Sequence, residues 1–134
     1  MNPIRFMLDT DTCGFIIRGG NEKLRKRVRR NAGRLCVSAI TAAELRFGVQ
    51  KKGSPRIADA VGFFLELVDV VPWGEEAASR YAEIRVALES AGVPIGNMDT
   101  LIAASALAEG CPVVTHNTDH FGRIPGLAIQ DWTV

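Results

Sequence analysis

The sequence has no cysteine pair, no long apolar run and no excess of charge of either sign. Its three cysteines, Cys13, Cys36 and Cys111, are an odd number and none stands in a C-x-x-C spacing. That excludes a disulfide scaffold and a thiolate zinc site, and the thiols read as small buried apolar side chains in a reducing compartment. No apolar stretch reaches the ~18 residues that a membrane span requires. Asp9 follows Met1-Asn2-Pro3-Ile4-Arg5-Phe6-Met7-Leu8 too soon for a secretory signal, so the expected compartment is the cytoplasm, with no membrane partner. Sixteen Lys and Arg against fifteen Asp and Glu leave a net charge of +1, and the molecule as a whole is not a polycation. What remains is an ordinary globular composition, 47% hydrophobic and 23% charged over 134 residues. There is no linker, repeat or low-complexity tract, so a single domain over 1–134 is expected.

The near-neutral total hides an uneven layout. Residues 21–34 carry Lys23, Arg25, Lys26, Arg27, Arg29, Arg30 and Arg34 against the single acid Glu22. Seven positive charges and one negative make that segment +6, so the rest of the chain, within the +1 total, is −5. Such a segment is either a solvated helix face or a surface that tracks phosphates, since each Lys or Arg that neutralises a phosphate releases a counterion.

Apolar runs alternate with helical patterns. Ile4–Leu8 reads as a strand running into the polar Asp9-Thr10-Asp11-Thr12, and a helix over part of 11–18 ends at Gly19-Gly20. The basic segment forms a second helix. Leu35–Ile40 reads as strand two and Thr41–Lys51 as a helix; Ser54-Pro55 opens another, with Ser as cap and Pro in the first turn. Val68–Val71 is a third strand, Glu75–Ser90 a longer helix, Thr100–Glu109 a helix of small residues, Cys111–Thr115 a fourth strand and Leu127–Ile129 a fifth. Strands alternating with helices specify βαβ units, hence an α/β class: a three-layer α/β/α domain with a short, mostly parallel sheet of four to five strands.

In open parallel sheets, sites form at the carboxyl ends of strands. Asp9 and Asp11 follow strand one, Glu44 stands one turn into the helix after strand two, and Asn117 and Asp119 follow strand four. Asp99 opens the helix leading into strand four. Each has a local alternative. Asp9, Asp11 or Asp99 can cap a helix start, Thr41-x-x-Glu44 matches a capping box, and Asn117 and Asp119 suit a turn. Together they are less easily dismissed, because carboxylates converging on one edge repel unless a cation screens them. Oxygen ligands of that kind suit Mg²⁺, with Mn²⁺ as a substitute. Thr10 and Thr115 can hydrogen-bond such carboxylates or serve as ordinary core hydroxyls, and His116 and His120 read as loop histidines or substrate contacts.

Four segments, taken in order, carry a resemblance: Met7-Leu8-Asp9-Thr10, Ser38-Ala39-Ile40-Thr41-Ala42-Ala43-Glu44-Leu45-Arg46-Phe47-Gly48, Pro94-Ile95-Gly96-Asn97-Met98-Asp99 and Val114-Thr115-His116-Asn117-Thr118-Asp119-His120-Phe121. The chain resembles PIN-domain ribonucleases, more narrowly the VapC-type toxins of type II toxin–antitoxin modules. The resemblance implies a magnesium-dependent endoribonuclease acting on a structured RNA such as tRNA. It implies a metal site of Asp9, Glu44 and Asp99, with Asn117 or Asp119 as fourth ligand and Asp119 a further catalytic candidate. It also implies a homodimer and a VapB-like antitoxin whose C-terminal segment covers the site. Lys23, Arg25, Lys26, Arg27, Arg29 and Arg30 would then hold RNA backbone without reading sequence. Asn117 departs from the acid common at its position, and the charge of Asp11 is unexpected in this family.

Two other readings compete. Asp9-Thr10-Asp11-Thr12 fits the D-x-D-x-T opening of haloacid-dehalogenase-type phosphatases, with Asp9 as nucleophile and Asp11 as general acid. That family expects a late acidic pair, which Thr115-His116-Asn117 does not offer, and has no use for Glu44 or the basic helix. The other is a non-catalytic RNA-binding module whose acids are only caps. The very apolar Val61-Gly62-Phe63-Phe64-Leu65, with Phe15 and Phe47, is either core or a groove and dimer face.

Overall fold

A computed structural model describes residues 4–134. Five strands form one sheet: β1 Phe6–Leu8, β2 Leu35–Ser38, β3 Asp69–Val71, β4 Val113–Val114 and β5 Ile129–Gln130. All neighbours are parallel, in the order β3-β2-β1-β4-β5. The helices are α1 Thr10–Ile17, α2 Glu22–Arg30, α3 Ala39–Lys52, α4 Pro55–Leu67, α5 Glu75–Ser90, α6 Asn97–Glu109 and the short α7 Thr118–Phe121.

The two-residue period of each strand builds the three layers. Met7, Cys36 and Val113 point to one face, where they pack against Ile84 and Leu88 of α5, Ile102 and Ala103 of α6, and Phe121 of α7. Their neighbours Leu8, Val37 and Val114 point to the other, against Cys13 of α1, Leu24 of α2, Ala42 of α3 and Val61, Phe64 and Leu65 of α4. Both faces of the central strands are therefore dry, as an all-parallel sheet requires. Small side chains let α6 lie close between α5 and the sheet, with Ala103, Ala104, Ser105 and Ala106 all buried. Gly110, at φ 69°, takes the left-handed turn that ends α6 before β4. The three cysteines are free and buried, as expected.

The expected elements are present with shifted boundaries. Strand two stops at Ser38 rather than Ile40, because Ser38 is itself the cap of α3: its Oγ accepts from Ile40 N–H at 3.1 Å. Thr41 is consequently inside the helix, and the capping box with Glu44 does not form. Helix α6 starts at Asn97, three residues before the expected Thr100, with Gly96 at its cap. The basic helix ends at Arg30, and Asn31–Arg34 form a turn into β2. Residues 118–121, read as a turn, form α7. Val61-Gly62-Phe63-Phe64-Leu65 divides by helical period, with Val61, Phe64 and Leu65 in the core and Phe63 65% exposed.

Candidate active site

Asp9 follows the central strand and stands at 2% exposure. It caps α1, Oδ1 accepting from Thr12 N–H at 2.9 Å, while Oδ2 accepts from Thr115 Oγ1 at 2.6 Å. Cap and site are thus the same atom group. Burial pushes the Asp9 carboxyl above the usual carboxylate range, and hydrogen bonds from Thr115 and Thr12 offset this only in part. A buried carboxylate with hydroxyl and amide donors but no cation is a residue waiting for positive charge.

From Asp9 a polar chain crosses the carboxyl edge of the sheet. Thr115 Oγ1, donor to Asp9, accepts from Asn117 N–H at 2.9 Å. Asn117 Nδ2 lies 2.9 Å from His120 Nδ1, and that nitrogen lies 3.4 Å from Asp99 Oδ2. On the other side Thr10, next to Asp9, donates Oγ1 to Glu44 Oε1 at 2.6 Å and lies 3.2 Å from Thr41 Oγ1. One chain of contacts therefore joins Asp9 to Asp99 through Thr115, Asn117 and His120, and a separate one joins Thr10, the residue after Asp9, to Thr41 and Glu44. Strand order explains it: β2, β1 and β4 are adjacent, so the residues after them converge.

The remaining expected residues fall elsewhere. Asp119 is 80% exposed, and its Oδ2 accepts at 2.9 Å from Nη2 of Arg123, just past the end of α7, rather than joining the contacts around Asp9. Asp11 points to solvent and has no side-chain partner among the described residues. In α2, Arg25 donates to Gly19 O at 2.7 Å, Lys26 pairs with Glu22 at 3.4 Å, and Arg27 lies over the Trp132 ring at 5.5 Å. Trp132 meets Phe6 edge-on at 5.2 Å, and Arg34 caps Phe6 at 5.4 Å. Arg27 and Arg34 therefore clasp an aromatic pair. Lys23, Arg29 and Arg30 are exposed and have no side-chain partner among the described residues. The histidine was under-read in the sequence: His120 touches both Asn117 and Asp99, a role that its three-residue spacing from Asn117 on one helical turn permits.

Among the described residues, no three His, Cys, Asp or Glu side chains stand close enough together to form a ready cage for a metal ion. The chemistry of the donors nevertheless suits a hard divalent cation: Asp9, Asp99 and Glu44 offer carboxylate oxygens, and such an ion keeps water in the rest of its shell. Beside Glu44 an apolar cavity of about 580 Å³ is lined by Ile40, Ala43, Phe47, Met98 and Leu101. Phe47 and Met98 at its wall are 65% and 50% exposed.

The sequence matches the PIN domain over residues 6–127. It is 40% identical to the "tRNA(fMet)-specific endonuclease VapC" of Salmonella typhimurium over 96% of this chain and 98% of that one. It is 33% identical to "Ribonuclease VapC2" of Rickettsia felis over 95% and 97% respectively. The fold superposes on a chain of the DNA-bound VapBC of Salmonella typhimurium with a TM-score of 0.90 at 39% identity, covering 97% of this chain and 99% of that one. A chain of VapBC2 from Rickettsia felis bound to a promoter DNA fragment gives the same TM-score at 32% identity, over 96% and 99%. No described helix is long and apolar enough to cross a membrane. Nucleases of this family depend on a divalent metal ion. With sequence, sheet order and the acid-bearing edge all in agreement, the chain belongs to the PIN domain family, among its VapC ribonucleases.

Proposed function

We propose that this protein is a magnesium-dependent endoribonuclease, the toxin of a toxin–antitoxin pair, acting in the cytoplasm on a structured RNA such as tRNA. The observation that carries the reading is the buried carboxylate of Asp9, joined by Thr115, Asn117 and His120 to Asp99, with Glu44 held by the neighbouring Thr10.

Asp9 and Asp99 would hold Mg²⁺, or Mn²⁺ in its place, with Glu44 directly or through water and Asn117 through its amide oxygen. When bound, the ion would neutralise charge at the scissile phosphate and lower the pKa of a coordinated water. The chain's own residues do the rest. Thr115 fixes the rotamer of Asp9, and Thr10 holds one oxygen of Glu44, leaving the other to accept a proton from the attacking water. Water attack needs no 2′-hydroxyl, so the products carry 5′-phosphate and 3′-hydroxyl ends. Lys23, Arg29 and Arg30 attract the RNA backbone.

The neutralising partner is a VapB-like antitoxin. Its support is the apolar cavity beside Glu44, where a bound segment would cover the acids, and the VapBC complexes among the structural relatives. A homodimer is supported by exposed Phe63 and Leu67 on α4 and Val70 on the sheet's β3 edge. The whole of 1–134 works as one domain.

The test is incubation with total RNA in Mg²⁺ or EDTA, followed by mapping of fragment ends, beside folded Asp9→Asn and Asp99→Asn proteins. Discrete cleavage with 5′-phosphate ends that requires both the ion and both carboxylates is expected. Cleavage by folded Asp99→Asn at the unaltered rate would sink the assignment of that residue, and intact RNA with the unaltered protein would sink the function.

A further inference from the structure

A second cavity, of about 500 Å³, shares no residue with the apolar one and adjoins Asp9 from two directions. Its wall includes Thr12, whose N–H donates to Asp9, and His116, which follows the Thr115 that donates to Asp9. The rest comes largely from one face of α1, where Asp11, Phe15 and Arg18 stand at i, i+4 and i+7. Three polar groups here lack a partner. Thr12 Oγ1 is buried with no hydrogen bond, and among the described residues neither Asp11 nor the Arg18 guanidinium makes an ion pair or a side-chain hydrogen bond. The acid and the cation share a wall without pairing with each other. Gly14 seats Arg18: a Cβ there would stand 3.0 Å from Arg18 Nη1, so the guanidinium is laid back along α1 towards Asp11. On the far rim His116 Nδ1 lies 2.9 Å from Asp131 Oδ2 and 3.1 Å from Thr133 Oγ1, which leaves Nε2 uncommitted.

A half-buried aromatic, an unpaired acid and an unpaired guanidinium match three parts of one nucleotide: a ring to stack, an amine-bearing edge and a phosphate. The volume suits a single nucleotide. We infer that this cavity takes one unstacked nucleotide next to the scissile phosphate, and that Asp11 selects there for a base carrying an exocyclic amino group over uracil. A carboxylate only accepts, so it pairs with the amino groups of guanine, cytosine or adenine. Uracil has no amino group, and its single N3–H lies between two carbonyl oxygens that oppose a carboxylate. The inference deepens the ribonuclease reading and rests on it for the words next to the scissile phosphate; occupancy of the cavity is measurable without cleavage.

The metal-free protein is titrated with 5′-guanosine and 5′-uridine monophosphates, following the backbone amides of Thr12, Phe15 and Thr133 by NMR. Guanosine monophosphate is expected to bind about tenfold tighter. Asp11→Asn, whose amide can donate as well as accept, should bring the two within about twofold. Phe15→Leu should weaken both alike, and Gly14→Ala, which displaces Arg18 in a folded helix, should do the same without changing their order. In the cleavage arm, fragment ends from total tRNA should show uracil excluded at one flanking position, and admitted there by Asp11→Asn. Equal binding of the two nucleotides, shifts confined to another surface, or shifts from N-acetyl-arginine amide but not from nucleotides would overturn the subsite. Cleavage with an unchanged base preference in Asp11→Asn would do the same while leaving the nuclease reading intact. Selective nucleotide binding without any RNA cleavage would keep the subsite and remove the nuclease.

Discussion

Thr115 Oγ1 donates to Asp9 Oδ2 at 2.6 Å, and the two residues, 106 positions apart, follow the adjacent strands β1 and β4. The same hydroxyl accepts from Asn117 N–H, so it fixes the aspartate and its neighbouring loop together. Thr115→Val keeps the shape and removes both bonds. Cleavage should fall about 10–100-fold, the usual range for a residue that orients a metal ligand, and Thr115→Ser should restore most of it. Initial rates on total RNA at saturating Mg²⁺ measure this.

Asp9→Asn should separate activity from stability. Burial holds the folded-state pKa of Asp9 above the unfolded value of 3.8, so the folded chain binds the proton more tightly than the unfolded one. Stability from this group is therefore full at low pH and declines as pH rises from the unfolded value through the folded one. The asparagine carries no such charge. In EDTA at neutral pH the variant should melt higher than the parent, with the gap closing on acidification. Thermal melts by circular dichroism across pH 4–8 supply the comparison, and a variant that melts lower at neutral pH would contradict it.

Divalent metal should reverse that order. An ion that binds only the folded chain stabilises it by about 2.7 kcal/mol at a hundredfold excess over Kd. Mn²⁺ should raise the melting temperature of the parent, and Asp9→Asn or Asp99→Asn should abolish the shift. A full shift in Asp99→Asn would remove that carboxylate from the ion's shell.

The basic helix should divide by role. Lys23, Arg29 and Arg30 are exposed, and replacing all three with glutamine should reduce the salt dependence of RNA binding by about two units in the log–log slope for single-stranded contacts. Melting temperature should barely change. Arg27→Ala loses its stacking on Trp132, so it should cost about 1 kcal/mol of stability and leave that slope closer to the parent's. Binding isotherms at several salt concentrations, beside denaturant melts, separate the two.

Layering and strand count were legible because Met7/Leu8, Cys36/Val37 and Val113/Val114 alternate between two apolar faces, and parallel strands advertise themselves as short apolar runs. Boundaries were less so. Leu35–Ile40 is unbroken in hydropathy, and nothing local says that Ser38 turns from strand residue into cap. Thr41-x-x-Glu44 then suggests a capping box that the earlier helix start rules out. Asp9, Glu44 and Asp99 stood out as acids at expected helix starts; contacts join Asp9 to Asp99, and Glu44 is held separately by Thr10. The connectors were harder: Thr10 and Thr115 are ordinary hydroxyls in sequence, and His120 meets Asp99 only because residues 118–121 coil. The cavity over Phe15 was out of reach, since its walls come from α1, the β4 exit and residues near 133, whose meeting is a property of the sheet order.

Placing the first strand in the middle of the sheet has a consequence during synthesis. A ribosome that has made a hundred residues has already made Asp9, Glu44 and Asp99, yet β1 still lacks its β4 neighbour and Asp9 lacks the hydroxyl of Thr115. Until the last quarter of the polypeptide is out, the nascent chain therefore carries Asp9 without the hydrogen bond and the neighbouring strand that fix it in the fold.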